Sequence, residues 1–187
     1  QSLFTRRLKS AVRPIRGSVV HPADAMLTQA GVIKDGKLLQ VKGKLYSVDV
    51  FLNDVGAARA LEGGMYFTYY LCPTDYHRVH SPVRGSLSEV VHMPGQLWPV
   101  NPWSVRNVQD LFCVNERVLF PLETERGLVW LVMIGATNVG QIEIPFDEKF
   151  TTNSNEFRIP RQCPLAKKFA VNVGDELGVF RMGSSVV

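Results

Sequence analysis

The apolar residues of this chain occur in short segments, and this limits the folds available to it. The longest segment, LVWLVMIGA at residues 128–136, has nine residues, about half of the ~18 that a membrane-spanning helix needs. Its valine, isoleucine and tryptophan residues favour a buried strand. Glycine, proline, asparagine and aspartate separate such segments, as is typical of turns between strands. In a chain of 187 residues, this pattern predicts one domain with a single core.

Short strands are predicted along most of the chain, with a few helices between them. The strands fall within residues 18–25, 31–48, 65–71, 117–123, 128–136, 140–146 and 177–182, with a hairpin turn at Asp35-Gly36. The helices fall at residues 47–53, with Ser47 as N-cap, at 57–64 and at 103–114. The predicted fold class is mainly β (α+β), a single β-sandwich-like domain with a few short helices.

The excess of positive charge is confined to residues 1–16, which we call the N-terminal arm. The arm holds five of the 21 lysines and arginines and no acid, so the rest of the chain carries 16 cations against 17 acids. A body without a basic stripe disfavours nucleic acid as a partner. A basic arm suits an anionic membrane surface. A solvated arm with local ion pairs explains the charges equally well, and an Arg-rich transit peptide is a further alternative.

The three cysteines, Cys72, Cys113 and Cys163, are odd in number and widely spaced. This spacing predicts neither a disulfide framework nor a Cys-x-x-Cys metal knuckle. We therefore expect buried thiols in a reducing compartment.

Two histidines stand three residues apart in the stretch YLCPTDYHRVHSP, residues 70–82. His77 and His80 would share a face if the segment makes a helical turn, and either can transfer protons near neutral pH. A metal site would need a third ligand, for which only Asp75 and the distant His92 are available, so no metal is predicted. A structural pair that binds backbone carbonyls is as consistent with this motif as catalysis.

Ser184 follows Gly183 after a strand-like segment, and Asp24 ends another. A serine becomes nucleophilic when a histidine oriented by an acid takes its proton, and the chain offers Asp24, His77 or His80, and Ser184 for these roles. An aspartate in such a position is also a common turn residue.

No Gly-x-Ser-x-Gly elbow is present, which disfavours ordinary hydrolase chemistry. The serine oxygen could instead attack the Gly183 carbonyl, because glycine tolerates strained geometry. β-Elimination of the resulting ester would cut the chain and leave a dehydroalanine, which hydrolyses to a pyruvoyl group on the new N-terminus.

Eight motifs, in the same order along the chain, resemble those of the pyruvoyl-dependent, self-processing phosphatidylserine decarboxylases. They are FTRRLK…RPI near the start, PAD at 22–24, QVKG…YS at 40–47, YLCPTDYHRVHSP at 70–82, PG.L..VNP at 94–102, LF..NERV at 111–118, IGATNVG at 134–140 and GDELG.F.MGSS at 174–185. The resemblance extends through nearly the whole chain.

The resemblance implies a role for each candidate residue. Asp24, His80 and Ser184 would form the self-processing triad, with His80 as the base and Asp24 as the acid that orients it. Cleavage at Gly183–Ser184 would convert Ser184 into the covalent pyruvoyl cofactor. Its carbonyl would form a Schiff base with the amine of phosphatidylserine and act as an electron sink, which gives phosphatidylethanolamine and CO2. His77 would protonate the substrate carbon after CO2 leaves.

The resemblance also implies subunits, partners and a location. Residues 1–183 would form the large (β) subunit of a single catalytic domain, and residues 184–187 would begin the small, pyruvoyl-bearing (α) subunit of the same precursor, whose remainder is absent. The implied partners are phosphatidylserine and an anionic membrane surface, with a homodimer left open. The protein would be peripheral, on the cytoplasmic face of a bacterial inner membrane or, alternatively, on the mitochondrial inner membrane.

Two departures from the family pattern qualify the resemblance. Ala25 stands where the family has glycine, which would strain the turn that holds Asp24 if that position needs a positive φ. The N-terminal amphipathic helices and the stretch after the cleavage site are also missing, so we expect a part of a longer precursor. Two alternatives remain: a pyruvoyl-dependent decarboxylase of another amino-acid-like substrate, and a non-catalytic β module of the lipoyl or hybrid type.

Overall fold

A computed structural model describes residues 5–9, 12–137, 141–154, 158–181 and 185–187. These residues form twelve strands and four short helices. The strands are β1 Met26–Val32, β2 Lys37–Val41, β3 Lys44–Ser47, β4 Met65–Tyr70, β5 Arg78–His80, β6 Gly85–Met93, β7 Arg117–Thr124, β8 Gly127–Ile134, β9 Ile142–Glu143, β10 Arg161–Val171, β11 Glu176–Phe180 and β12 Ser185–Val186. The helices are α1 Val48–Leu52, α2 Val55–Ala60, α3 Pro102–Asn107 and α4 Leu111–Val114.

Three antiparallel sheets share one core, which confirms the mainly β prediction. The largest sheet has seven strands in the order β1-β4-β12-β8-β7-β6-β10, the second has the order β5-β11-β9, and the third is the β2-β3 hairpin. One continuous apolar cluster includes side chains from the three sheets and from α1, α2 and α4. The helices are too short to be stable alone, so this packing maintains them.

The β7-β8 hairpin is the centre of the large sheet. Its register runs without a shift from Arg117 opposite Ile134 to Thr124 opposite Gly127. The first four residues of β7 and the last four of β8 are buried, as expected for strands covered on both faces. The strands predicted at residues 117–123 and 128–136 are therefore confirmed.

The helix predicted at residues 103–114 is wrong as a single element, because Asp110 interrupts it with a left-handed backbone (φ 51°). The buried side chain of Gln40 stabilises the interruption from β2. Its amide nitrogen donates to the carbonyls of Val105 at 2.8 Å and Val108 at 2.9 Å. Its amide oxygen accepts from the N–H of Leu111 at 2.9 Å. One long-range side chain thus satisfies the backbone groups that the break would leave unpaired.

The strand predicted at residues 18–25 is also wrong. Only Val19 makes a β-bridge there, opposite Val83, and the regular strand begins at Met26. Pro22 lacks the N–H that a ladder needs, so the segment forms bends instead. The predicted helix at 47–53 is confirmed as α1, which follows Ser47 in the N-cap position.

The three cysteines are free. They are only partly buried, whereas the sequence predicted buried thiols. Burial raises the pKa of the Cys113 thiol to about 12. A thiol in this state is a poor nucleophile.

Candidate functional site

Strand β5 begins directly after His77 and ends at His80. It pairs antiparallel with β11. His80 lies opposite Glu176, and the N–H of Phe180 donates to the carbonyl of His77 at 3.0 Å. Phe180 stands three residues before Gly183 in the sequence. Gly183 and Ser184 themselves lie outside the described residues. The topology therefore places both histidines against the strand that leads into the predicted cleavage site.

His77 is completely buried (0% exposed). Its Nδ1 lies 2.8 Å from the carbonyl oxygen of Asp75, and a carbonyl can only accept, so Nδ1 carries the proton. Nε2 is then the basic nitrogen of the neutral ring. Burial lowers the pKa of His77, and the carbonyl and charge of Asp75 only partly oppose this effect. The ring is therefore a neutral imidazole near pH 7 that, once protonated, is a stronger acid than free histidine.

His80 is oriented through both of its ring nitrogens. Nδ1 donates to the carbonyl of Gly174 at 2.8 Å, and Nε2 accepts from the hydroxyl of Tyr76 at 3.2 Å. The rings of Tyr76 and His80 are nearly parallel, with an angle of 12° between their planes and 5.7 Å between their centroids. Burial raises the pKa of Tyr76, so its hydroxyl stays protonated and can donate. The described contacts thus leave Nε2 as the basic nitrogen of His80.

The turn between β10 and β11 is fixed against the end of β5. The N–H of Ser81 donates to the carbonyl of Asp175 at 2.7 Å, and the N–H of Gly174 donates to the carbonyl of Ser81 at 2.8 Å. Gly174 has a positive φ of 85°, which favours glycine. This turn holds the carbonyl that orients His80.

Asp24 lies near β5 but binds a different partner from the one expected. The N–H of His80 donates to the carbonyl of Pro22 at 2.8 Å, which places the PAD turn beside the histidine strand. The carboxylate of Asp24 accepts from Arg13, with Nε 3.0 Å from each oxygen and Nη2 2.6 Å from Oδ2. A contact between Asp24 and His80 is not among the hydrogen bonds of the described residues. The orienting role of Asp24 therefore stays a prediction.

Ala25 does not have the positive φ that would strain it. The substitution of alanine for the family's glycine therefore imposes no strain of that kind on the turn that holds Asp24.

Arg78, between the two histidines, connects three parts of the chain. Its Nη1 donates to the carboxylate of Glu176 at 2.5 Å. Its Nη2 donates to the carbonyl of Thr5 at 2.8 Å, and its Nε donates to the carbonyl of Arg6 at 3.2 Å. The side chain is only 11% exposed, where charge-assisted hydrogen bonds are stronger than at the surface. Arg78 therefore fixes residues 5 and 6 of the N-terminal arm to β5 and β11.

Ser185, directly after the predicted cleavage site, begins β12 inside the large sheet. It lies opposite Tyr70 on β4 and Ile134 on β8 and is 1% exposed. Its hydroxyl makes no hydrogen bond within the described part of the chain. The described strands before and after the predicted cleavage site, β11 and β12, thus belong to different sheets.

Sequence reasoning found both histidines but missed the groups that orient His80. Tyr76 stands four residues before His80 in the same motif, so its position in the sequence is a signal for this contact. Gly174 is 94 residues away from His80 in the sequence. Because every residue has a backbone carbonyl, the residue type does not reveal which carbonyl orients the histidine. The Arg13–Asp24 pair joins the RPI and PAD motifs, which the sequence shows only as separate segments.

The described ranges contain no group of three or more His, Cys, Asp and Glu side chains that could hold a metal ion. In the same part of the chain, no helix has the length and apolar character to cross a membrane.

Comparison with known proteins identifies one family. A family model described as "Phosphatidylserine decarboxylase" matches residues 1–187. A "Phosphatidylserine decarboxylase proenzyme" of Myxococcus xanthus is 42% identical over 187 residues, which cover 98% of this chain and 66% of the relative. A protein of the same name from Shewanella putrefaciens is 42% identical over 190 residues, with the same coverage. The chain thus spans about 66% of the length of these curated relatives.

Proposed function

The chain belongs to the phosphatidylserine decarboxylase family, and from this premise we propose that its precursor cuts itself at Gly183–Ser184 and then decarboxylates phosphatidylserine to phosphatidylethanolamine and CO2. The relatives are named proenzymes of this activity. One structural observation carries the proposal: the hydrogen bond from Phe180 to His77 and the pairing of β5 with β11 hold both histidines against the strand that leads into Gly183.

In the self-cleavage step, His80 Nε2 takes the hydroxyl proton of Ser184. The serine oxygen attacks the carbonyl carbon of Gly183, and the C–N bond of the peptide breaks as the acyl group moves to oxygen. Elimination across the Cα–Cβ bond of the ester releases the Gly183 carboxylate and leaves a dehydroalanine, whose hydrolysis releases ammonia and gives the pyruvoyl group. The hydrogen bond from His80 Nδ1 to Gly174 supports this role, because it keeps Nε2 free of a proton.

The residues around β5 and β12 fit a covalent pyruvoyl group at position 184. Ser185 presents a buried hydroxyl that is unpartnered in the described residues directly beside this position, and His77 is buried, with its backbone carbonyl bound by the N–H of Phe180. The pyruvoyl carbonyl supplies an electron sink for the C–C bond that breaks. Once Nε2 of His77 has taken up a proton, it delivers that proton to the substrate carbon, and the burial that lowers the pKa of His77 makes the protonated ring release it readily.

We further propose that residues 1–183 form the large subunit and that residues 184–187 begin the small subunit. The protein binds phosphatidylserine at an anionic membrane surface as a peripheral protein. The bacterial inner membrane and the mitochondrial inner membrane both fit this assignment. The arm residues Arg7, Lys9 and Arg16 are exposed, which supports contact with anionic headgroups. Homodimerisation is part of the same proposal.

The test is the intact mass of a precursor that extends past Ser185. We expect two fragments, separated between Gly183 and Ser184, with a carbonyl group on the N-terminus of the smaller one. Ser184→Ala should leave the chain unbroken, whereas Ser185→Ala, the matched control, should still be cut. An unbroken wild-type chain would contradict the proposal.

Substrate choice needs a separate measurement. Processed protein should release CO2 from phosphatidylserine in liposomes and much less from free serine at the same concentration. The reverse preference would favour the alternative of a pyruvoyl-dependent decarboxylase with another amino-acid-like substrate. The match of residues 1–187 to an enzyme family weighs against a non-catalytic lipoyl- or hybrid-type module.

A further inference from the structure

The seven-stranded sheet contains a gap between β4 and β8 that β12 fills only at one end. The two residues of β12 pair with the C-terminal ends of both strands, and Val187 exchanges both backbone hydrogen bonds with Val132. Beyond this point, and within the described residues, positions 65–68 of β4 pair only with β1. Positions 127–131 of β8 likewise pair only with β7. Two facing strand edges therefore have backbone groups without a strand partner on the inner side.

The gap forms part of an apolar groove of about 920 Å³. Its walls include Phe51, Leu52, Tyr69, Trp130 and Val132. Further large apolar side chains along the two open edges are exposed: Met65 (60%), Phe67 (39%) and Leu128 (42%). Exposure of this kind inside a sheet, rather than at its outer edge, indicates a surface that another segment covers.

Trp130 indicates that whatever occupies the groove must also accept a hydrogen bond. Its indole N–H is buried and makes no hydrogen bond within the described residues, and a buried indole normally has a partner. The occupant of the groove must therefore supply hydrogen-bond acceptors as well as apolar surface. A polypeptide strand has both, whereas a hydrocarbon chain has no acceptor.

We propose that the groove receives an extended segment that continues from Val187, inserted as a strand antiparallel to both β4 and β8. The pairing of β12 fixes this direction. Five residues at about 3.3 Å each span about 17 Å, the length of an ordinary strand, and match positions 127–131 of β8. The alternation of a strand would direct every second side chain toward the apolar walls. About a third of each relative's length lies outside the matched region, which is more than enough chain for such a strand.

This inference rests on the proposed assignment of residues 184–187 to the small subunit, and it gives that subunit an attachment. Strand addition between two neighbours provides main-chain hydrogen bonds on both sides. The new N-terminus, one residue before Ser185, would then stay in place after the chain is cut, because the segment behind it is held in the middle of the sheet. A second copy fits this groove poorly, because a folded partner cannot insert an edge strand between two strands of an existing sheet.

Hydrogen–deuterium exchange tests the inserted strand. Two proteins carry Ser184→Ala: one ends at Val187, and the other continues past it as its gene encodes. We expect peptides that cover residues 65–68 and 127–131 to exchange at least about 50-fold more slowly in the longer protein. Peptides from β7 should not change, because β6 and β8 already flank this strand. Equal exchange in the two proteins overturns the proposal. Since Ser184→Ala removes self-cleavage from the measurement, the result does not depend on the proposed function.

Paired substitutions show where the segment binds. In the longer protein, Leu128→Asp should restore most of the fast exchange, whereas Leu45→Asp should not. Leu45 is similarly exposed (52%) but lies on β3, outside the groove. Equal effects of the two variants would contradict the assigned position. The protein that ends at Val187 should exchange at the same rate with and without short-chain phosphatidylserine. Slowing by the lipid alone would assign the groove to acyl chains and overturn the proposal.

Discussion

At the scale of single residues, the two histidines of one motif have different surroundings. His77 is fully buried, and its Nδ1 binds a carbonyl two residues away. His80 is partly buried and is held by Gly174 and Tyr76. Burial lowers the pKa of His77, so its ring gives up a proton readily once Nε2 has been protonated. A histidine whose Nε2 accepts from a phenol is suited to act as a base. The environments therefore support separate roles.

His77→Ala should separate the two reactions. We expect the precursor to be cut as in the wild type, while decarboxylation falls by about 10²–10⁴-fold, the usual contribution of a general acid. His80→Ala should instead slow or block the cut. Intact mass measures the first reaction, and CO2 release from phosphatidylserine liposomes measures the second. A His77→Ala precursor that stays uncut would show that the division between the histidines is wrong.

Tyr76→Phe should slow self-cleavage about fivefold, because it removes one hydrogen bond that orients His80, worth about 1 kcal/mol, while the ring remains. The time course of fragment formation measures this effect. Tyr66→Phe is the matched control, since its hydroxyl binds the N–H of Leu39 and not a histidine. Unchanged cleavage in Tyr76→Phe would show that the Tyr76 hydroxyl does not assist His80 and that the ring only packs against it. Faster cleavage would mean that its hydroxyl competes with Ser184 for the base.

At the scale of elements, the sequence predicted those whose signal is local. Strands β4, β7, β8 and β11 have continuous apolar or aromatic runs, and their positions agree with the structure. Strands β6 and β10 were not predicted, because polar residues interrupt both and most of β10 is exposed. The break between α3 and α4 depends on Gln40, about 70 residues away. The same limit applies to the site: motifs revealed the histidines, but the carbonyl of Gly174 becomes visible only when β5 and β11 pair.

Gln40→Leu should destabilise the fold by about 3 kcal/mol. The substitution leaves two carbonyls and one N–H at the α3–α4 break without their partner, and an unsatisfied buried group costs about 1–3 kcal/mol. Urea unfolding measures the change. Gln29→Leu, on the partly exposed strand β1, is the control and should alter the free energy of unfolding by less than about 0.5 kcal/mol. Equal losses in the two variants would show that the Gln40 hydrogen bonds do not stabilise the break.

At the scale of the whole molecule, the positive charge is asymmetric, and the structure gives the arm two distinct parts. Arg13 is engaged by Asp24, and the backbone at Thr5 and Arg6 is fixed by Arg78. Three further cations are exposed: Arg7, Lys9 and Arg16. The body carries nearly balanced charge, so attraction to an anionic surface must come mainly from the arm. A protein that acts on a headgroup would thereby have a preferred orientation at the membrane.

The triple substitution Arg7→Gln, Lys9→Gln and Arg16→Gln should weaken binding to vesicles that contain phosphatidylserine by about 100-fold, since each cation near the surface contributes about 1 kcal/mol. Co-sedimentation measures the binding, and wild-type affinity should fall as salt rises, because salt screens exposed charges. The control, Lys34→Gln, Lys42→Gln and Arg59→Gln, removes the same charge from exposed positions outside the arm. If it loses as much affinity, net charge rather than the arm drives binding. If only the arm variant loses affinity and both are cleaved normally, the arm orients the protein without contributing to its chemistry.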